Sequence, residues 1–256
     1  MQVWTIANQK GGVGKTTTTL ALGYWLARQG AQVLQIDLDP HASLSRAHGV
    51  PAEPAPQGTL ELFADPPQPL AALARPTALA GLALVPAQSA LATLERRSAT
   101  QPGLGRALSQ ALARDAGRWD YVLLDCAPTL GLLMVNALAA ADRLIVPTQT
   151  EPLALHGLDG MLRTAQMIER SRGSALPTFV LPTLHDRRTR VAQESLAAMR
   201  GRPGAKVWDA EIPIDTRLRD AQSFLDLEAR FGRGLRAYGD ALDWLLDSAP
   251  VQEQVA

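Results

Sequence analysis

Residues Lys10-Gly11-Gly12-Val13-Gly14-Lys15-Thr16-Thr17 gather ammonium groups, glycines and hydroxyls directly after the apolar run Val3-Trp4-Thr5-Ile6-Ala7. A turn of this composition between a strand and a helix suits a phosphate group. Glycines let backbone N–H groups close around an anion, and the free N–H groups of the next helix point the same way. Gly11, Gly12, Val13 and Gly14 are the expected cradle. Lys15 can reach β- and γ-phosphates, and the Thr16 hydroxyl, with Thr17 next to it, can ligate Mg2+. The strict pattern G-x-x-x-x-G-K-[ST] is not met, because Gln9 stands at its first glycine. The chain strongly prefers arginine to lysine, yet two of its three lysines fall here. A compact ammonium on a flexible stem suits this task better than a planar guanidinium.

Three acids end apolar runs: Asp37 and Asp39 in Gln35-Ile36-Asp37-Leu38-Asp39-Pro40-His41, and Asp125 in Val122-Leu123-Leu124-Asp125-Cys126-Ala127-Pro128. Open α/β sheets place ligands at the carboxyl ends of their strands. A strand-end Asp can hold Mg2+ directly or through water. In an extended segment Asp37 and Asp39 project to one side, so one could orient the site and the other position an attacking water. Each Asp taken alone also reads as a helix N-cap. Their company with the glycine-rich loop favours the metal reading. His41 and Cys126 have no second cysteine or histidine at ligand spacing. They read as a loop residue and a small buried filler.

The elements that must hold these groups follow from the hydrophobic pattern. Continuous apolar runs predict strands at Val3 to Ala7, Val33 to Ile36, Leu82 to Val85, Tyr121 to Leu124, Leu144 to Val146, Phe179 to Leu181 and near Val207. Helical stretches alternate with them. The fold class is therefore α/β, a mostly parallel twisted sheet with helices on both faces. A helix is expected from Lys15 to Gln29, ending at Gly30. The Pro- and Ala-rich stretch Pro51 to Pro76 reads as loop with short helices, and residues 1–250 as one domain with a flexible tail, Val251 to Ala256. Formal net charge is zero, so attraction to DNA or lipid must come from a local patch or from dimerisation. A single cysteine excludes a disulfide framework. The start on a strand, and the lack of a long apolar run, lead to the expectation of a cytoplasmic protein without a signal peptide.

These motifs resemble the ParA/MinD family of deviant-Walker ATPases along nearly the whole chain. Lys10 to Thr17 match the deviant Walker motif, Asp37 to Pro40 switch I, and Asp125 to Pro128 switch II. Pro147-Thr148-Gln149-Thr150-Glu151-Pro152-Leu153-Ala154-Leu155-His156-Gly157-Leu158 and Ile212-Pro213-Ile214-Asp215-Thr216-Arg217-Leu218 match two further stretches. The resemblance implies a P-loop NTPase fold, ATP and Mg2+ as ligands, and a dimer that sandwiches two ATP molecules. It implies catalytic roles for Lys10, acting across the dimer interface, for Lys15, and for Asp39 on the hydrolytic water. It implies Thr16, Asp125 and Asp37 at the metal, and Thr183, Pro213 and Asp215 near the adenine. Slow hydrolysis, stimulated by a partner, would time the dimer.

ParA-like members bind DNA without sequence preference, which the resemblance assigns here to Arg188 and Arg217, with Arg187 and Arg190 adding phosphate contacts. The competing reading of this cluster is a solvated helix start. MinD-like members bind membrane through a basic amphipathic helix, whereas Tyr238 to Asp247 presents acids. The expected protein is thus a nucleoid-associated ATPase that positions a chromosome origin, a plasmid or a chemotaxis cluster. Its partners would be a second copy, DNA, and a ParB-like or chemotaxis-array adaptor, with no membrane. With its first strand expected from Val3, the chain resembles the short ParA type and is expected to lack the helix-turn-helix by which larger plasmid members repress their own operon. His41 and Gln222-Ser223-Phe224-Leu225-Asp226 depart from the chromosome-segregating pattern. Ala92-Thr93-Leu94-Glu95-Arg96 and Pro182 to Thr189 look more like the subgroup that positions chemotaxis arrays. Two other readings stand beside this one: a membrane-bound division-site or polar-organelle regulator, and a metabolic ATP-dependent ligase, which usually involves a larger chain.

Overall fold

The computed structural model describes residues 1–51, 54–97, 104–219 and 232–248. Its strands are β1 (Gln2–Ile6), β2 (Val33–Leu38), β3 (Arg75–Pro76), β4 (Leu82–Val85), β5 (Tyr121–Cys126), β6 (Arg143–Gln149), β7 (Thr178–Thr183) and β8 (Lys206–Val207). They form one sheet in the order β3-β4-β2-β5-β1-β6-β7-β8. Only the β3–β4 pair is antiparallel. The helices are α1 (Lys15–Arg28), α2 (Ser43–Ala47), α3 (Leu70–Leu73), α4 (Leu91–Arg97), α5 (Ala107–Arg114), α6 (Leu132–Ala140), α7 (Pro152–Arg172), α8 (Arg190–Arg200), α9 (Thr216–Arg219) and α10 (Arg233–Asp247).

Strand alternation divides the apolar runs between two cores. Val3, Leu34, Ile36, Val122, Leu124 and Val146 pack with Leu108, Met134, Leu138 and Met161 of α5, α6 and α7. Trp4, Ile6, Val33, Leu123, Ile145 and Phe179 pack with Leu20, Leu22 and Leu26 of α1 and Leu235, Leu242 and Leu245 of α10. Both faces are covered, which is why the strands carry little polar alternation.

All the expected strands are present. β6 and β7 run further than their apolar residues suggest, because parallel pairing continues through Thr148↔Pro182 and Gln149↔Thr183. Helix α1 ends at Arg28 with Gln29 as C-cap, and Gly30 follows with φ 92°. The stretch read as loop with short helices holds a 3-10 turn (Thr59–Phe63) and α3, and also the unexpected β3. Pro76 is tolerated there because β3 is an edge strand, where a missing N–H breaks no ladder. In α10, Leu242 and Leu245 are buried while Asp240, Asp243 and Asp247 face solvent. The segments Gln222 to Asp226 and Val251 to Ala256 lie outside the described residues. Among the described residues no helix is long and apolar enough to cross a membrane.

Strand register alone assembles the centre of the molecule. Asp125 of β5 pairs with Ile6 of β1 on one side and with Asp37 of β2 on the other. The loop that follows Ile6 therefore starts beside two adjacent carboxyl groups.

Candidate active site

The loop from Asn8 to Gly14 is tied at both ends. Asn8 is fully buried; its amide donates to the Pro147 carbonyl (2.9 Å) and to Thr148 Oγ1 (3.3 Å), and its Oδ1 accepts from Lys10 N (3.0 Å). The Thr183 hydroxyl donates to the Val13 carbonyl at 2.8 Å. At the rear, Thr18 Oγ1 donates to the Gly14 carbonyl (2.8 Å) and pairs with Tyr238 Oη of α10 (3.0 Å). The turn itself requires glycine: Gly12 has φ 74° and Gly14 φ 93°. In front of Gly11 and Gly12 lies open space, with no atom within 4 Å of an added Cβ. Val13 is buried.

The two lysines diverge. Lys15 is buried and turns back over the loop, with Nζ 3.1 Å from the Lys10 carbonyl. Burial holds its pKa below the ordinary lysine value, with Asp125 pulling the other way. Lys10 turns outward to an ion pair with Glu151 at the start of α7, its side chain 27% exposed.

Strand period places Asp125 and Leu123 on the α1 face of the sheet, where Asp125 accepts from Thr16 Oγ1 (2.7 Å) and Thr19 Oγ1 (3.2 Å). Burial, then repulsion from Asp37, pushes the Asp125 carboxyl up to about 8. Burial pushes Asp37 up to about 6, although bonds from Ser45 and Asp39 pull it down. Asp37 accepts from Asp39 N (3.0 Å), Ser45 N (2.9 Å) and Ser45 Oγ (2.7 Å), so its carboxyl organises the turn that carries Asp39. β2 ends at Leu38, and the period-two argument does not reach Asp39. Asp39 sits in the following turn, where its Oδ1 accepts from His41 N at 2.8 Å.

Two observations fit Mg2+-ATP to these residues. The open glycine cradle suits phosphate oxygens. Two adjacent buried carboxyl groups with the Thr16 hydroxyl form a hard-oxygen donor set, whose mutual repulsion a divalent cation relieves. Cys126 is buried and its thiol pKa is raised, so it is not a reactive thiol. His41 is exposed.

At the other edge, backbone pairing of Pro182 and His185 with Ile212 and Ile214 brings Thr183 and Pro213 together. The Asp215 carboxylate is engaged by Arg217 N (3.0 Å) and Gly234 N (2.9 Å), so it joins α9 to α10. Arg187, Arg188 and Arg190 lie exposed at the start of α8. They pair with Glu211 (2.5 Å), Asp186 (2.8 Å) and Glu194 (2.6 Å) respectively. Arg217 is exposed on α9. Sequence reasoning misses Asn8, Thr19, Ser45 and Tyr238, because ordinary polar residues gain their roles only from tertiary contact.

A mostly parallel sheet, a Gly-Lys-Thr loop after its central strand and paired strand-end carboxyls define a P-loop ATPase. A family model described as an AAA domain matches residues 1–177. The chromosome partitioning protein ParA of Caulobacter vibrioides is 40% identical over 230 residues, 88% of this chain and 85% of that protein. The chromosome-partitioning ATPase Soj of Thermus thermophilus is 42% identical over 222 residues, 86% and 84% of the two chains. Among solved structures, a cobyrinic acid a,c-diamide synthase from Mycobacterium smegmatis with bound ADP and magnesium is similar at TM-score 0.84 and 34% identity, covering 96% of this chain and 94% of that one. The chain belongs to the ParA/MinD family of deviant-Walker ATPases. It is an ATPase, with ATP and Mg2+ as its ligands.

Proposed function

We propose that this ATPase positions a cellular cargo by cycling between an ATP-bound dimer on DNA and a free monomer. The observation that carries the reading is the divergence of the two loop lysines. Lys15 serves its own cradle, whereas Lys10 projects to a half-exposed edge, where a second copy's phosphates could replace Glu151 as its partner. In this reading Lys15 holds the β- and γ-phosphates, Thr16 and Asp125 hold the metal site with Asp37 behind them, and Asp39 orients the attacking water. Mg2+, when bound, would neutralise charge developing on the phosphates. Thr183 and Pro213 would line the adenine side through their backbone, with Asp215 fixing that segment.

Arg187, Arg188, Arg190 and Arg217 would contact DNA phosphates. Three of them have carboxylate partners in the same protomer, so a lone protomer offers a charge-balanced patch. Pairing two such patches in a dimer would raise avidity enough to hold DNA. A ParB-like or array adaptor would stimulate hydrolysis and release the dimer. The relatives named for chromosome partitioning support a chromosome or plasmid cargo, and the segments around Ala92 and Pro182 support a chemotaxis cluster.

The likeness to a diamide synthase carries a second reading, ATP-dependent amide formation. Chain length does not count against it, because that structure is covered almost end to end. Sedimentation of the Asp39→Ala protein with random-sequence DNA or anionic liposomes, in ATP or ADP, tests the proposal. ATP-dependent pelleting with DNA alone is the expected result. Pelleting with neither, together with ATP turnover by the unsubstituted chain that rises only with a carboxylic acid and an ammonia donor, would replace it with the ligase reading. Pelleting with liposomes alone would replace it with the membrane reading.

A further inference from the structure

Helix α6 begins immediately after switch II, and its first turn contains no acidic residue and no capping side chain of its own. Its N-cap is Gly131, yet the free N–H groups of a helix start need acceptors and favour negative charge. The acceptor comes from another element. Glu95 of α4 accepts from Leu133 N (3.1 Å) through Oε1 and from Thr129 Oγ1 (3.4 Å) through Oε2. Its carboxylate fills the space above Gly131 so closely that an added Cβ would stand 2.6 Å from Oε1 and 2.7 Å from Oε2. Leu91, fully buried in the core, anchors the same helix.

The segment that delivers Glu95 also touches switch I. Ala87 N donates to Ser45 Oγ (2.9 Å), and Ser45 Oγ donates to Asp37 (2.7 Å). One short stretch, Ala87 to Glu95, therefore braces Asp37 at one end and the loop after Asp125 at the other.

We propose that Glu95 is a positioning residue for ATP hydrolysis: by capping α6 from outside it fixes the switch II loop, and with it the Asp125 carboxylate against Thr16. This rests on the metal-site role proposed above for Asp125. The loop runs from a bonded Asp125 to a capped Gly131, so loosening the far end gives the near end freedom that a transition state needing fixed oxygens will register.

Steady-state ATP hydrolysis by the full chain tests it, with Asp125→Asn as a control for the underlying reading. Glu95→Ala should lower kcat about tenfold, the size of one hydrogen bond expressed in the transition state, with KM for ATP within about twofold. Glu95→Gln keeps an oxygen for Leu133 N and should recover most of the rate. Gly131→Ala leaves Glu95 in the chain but occupies its place, and should reproduce the loss; the double variant should be no slower than either single one. A Glu95→Ala enzyme with unchanged kcat, or one whose loss Gln does not recover, overturns the proposal. If Asp125→Asn itself hydrolyses ATP normally, the reading of the metal site falls first.

Discussion

Replacing Asp125 by Asn should stabilise the nucleotide-free protein while removing hydrolysis. In the fold this carboxyl is 1% exposed, lies beside Asp37 and titrates at about 8 in place of 3.8. The unfolded chain has lost that proton by pH 7, while the folded chain still holds it. From 3.8 to pH 7, at about 1.4 kcal/mol per pH unit, the penalty on folding is about 4 kcal/mol. The amide avoids this, but its NH2 group cannot accept as the hydroxyl oxygen of the acid can, so one of the bonds from Thr16 and Thr19 is lost, which returns about 1–2 kcal/mol. The net gain at pH 7 is about 2–3 kcal/mol, or roughly 5–10 °C in Tm for a chain of this size. The sign follows from a folded pKa raised above the unfolded one. The carboxyl's contribution is fully present below its unfolded value and is lost as pH rises through about 8. The advantage of Asn should therefore vanish at about pH 5, where the penalty on the acid equals the bonding lost by the amide, and grow toward pH 8. Melts followed by circular dichroism in EDTA across that range, with phosphate release measured alongside, provide the check. A variant that melts below the parent at pH 7, or a gap that does not change with pH, would refute the account of Asp125 as a strained, buried acid.

Lys10→Ala should leave nucleotide binding in place but lower ATP hydrolysis about a hundredfold or more, as removal of a trans-acting cation does, and sedimentation should find no ATP-dependent dimer. Asp186→Asn frees Arg188 from its bidentate partner. DNA affinity in the ATP state should rise, and the slope of log K against log salt should steepen by about one unit per protomer. Tyr238→Phe removes a buried bond to Thr18 behind the loop. A stability loss of about 1 kcal/mol in urea titrations is expected, with weaker binding of a fluorescent ATP analogue; an unchanged affinity would limit Tyr238 to stability.

The glycine loop, the strands and the strand-end acids are legible because each is local: an apolar run and a set of glycines announce themselves within ten residues. What brings Asp37 and Asp125 side by side is the register of β2 on β5, which pairs segments far apart in the chain. No local pattern encodes it. The bracing groups are hidden for the same reason. Asn8, Ser45, Glu95 and Tyr238 are ordinary polar residues whose partners lie on other elements. The arginine cluster is a different case. Asp186 and Glu194 stand within the same short segment, so its local charge balance is readable from sequence. Only Glu211, the partner of Arg187, needs the fold to bring it there.

Lys10 and Lys15 carry the same charge in one loop, and what separates their tasks is the solvent around them. Lys15 is 7% exposed and held under its ordinary pKa by burial, with no carboxylate bonded to it. Such a cation is destabilised until an anion arrives, so phosphate binding gains nearly the full attraction. Lys10 is partly hydrated and already paired with Glu151, a half-buried contact in which desolvation offsets much of the attraction. That weak contact is enough to keep Lys10 aimed away from its own cradle, and weak enough to be given up to a more highly charged partner. A loop with two Lys15-like lysines would bind nucleotide in the monomer and leave no group for the second copy. In the proposed cycle, the partial exposure of Lys10 is what would let one phosphate loop serve two molecules.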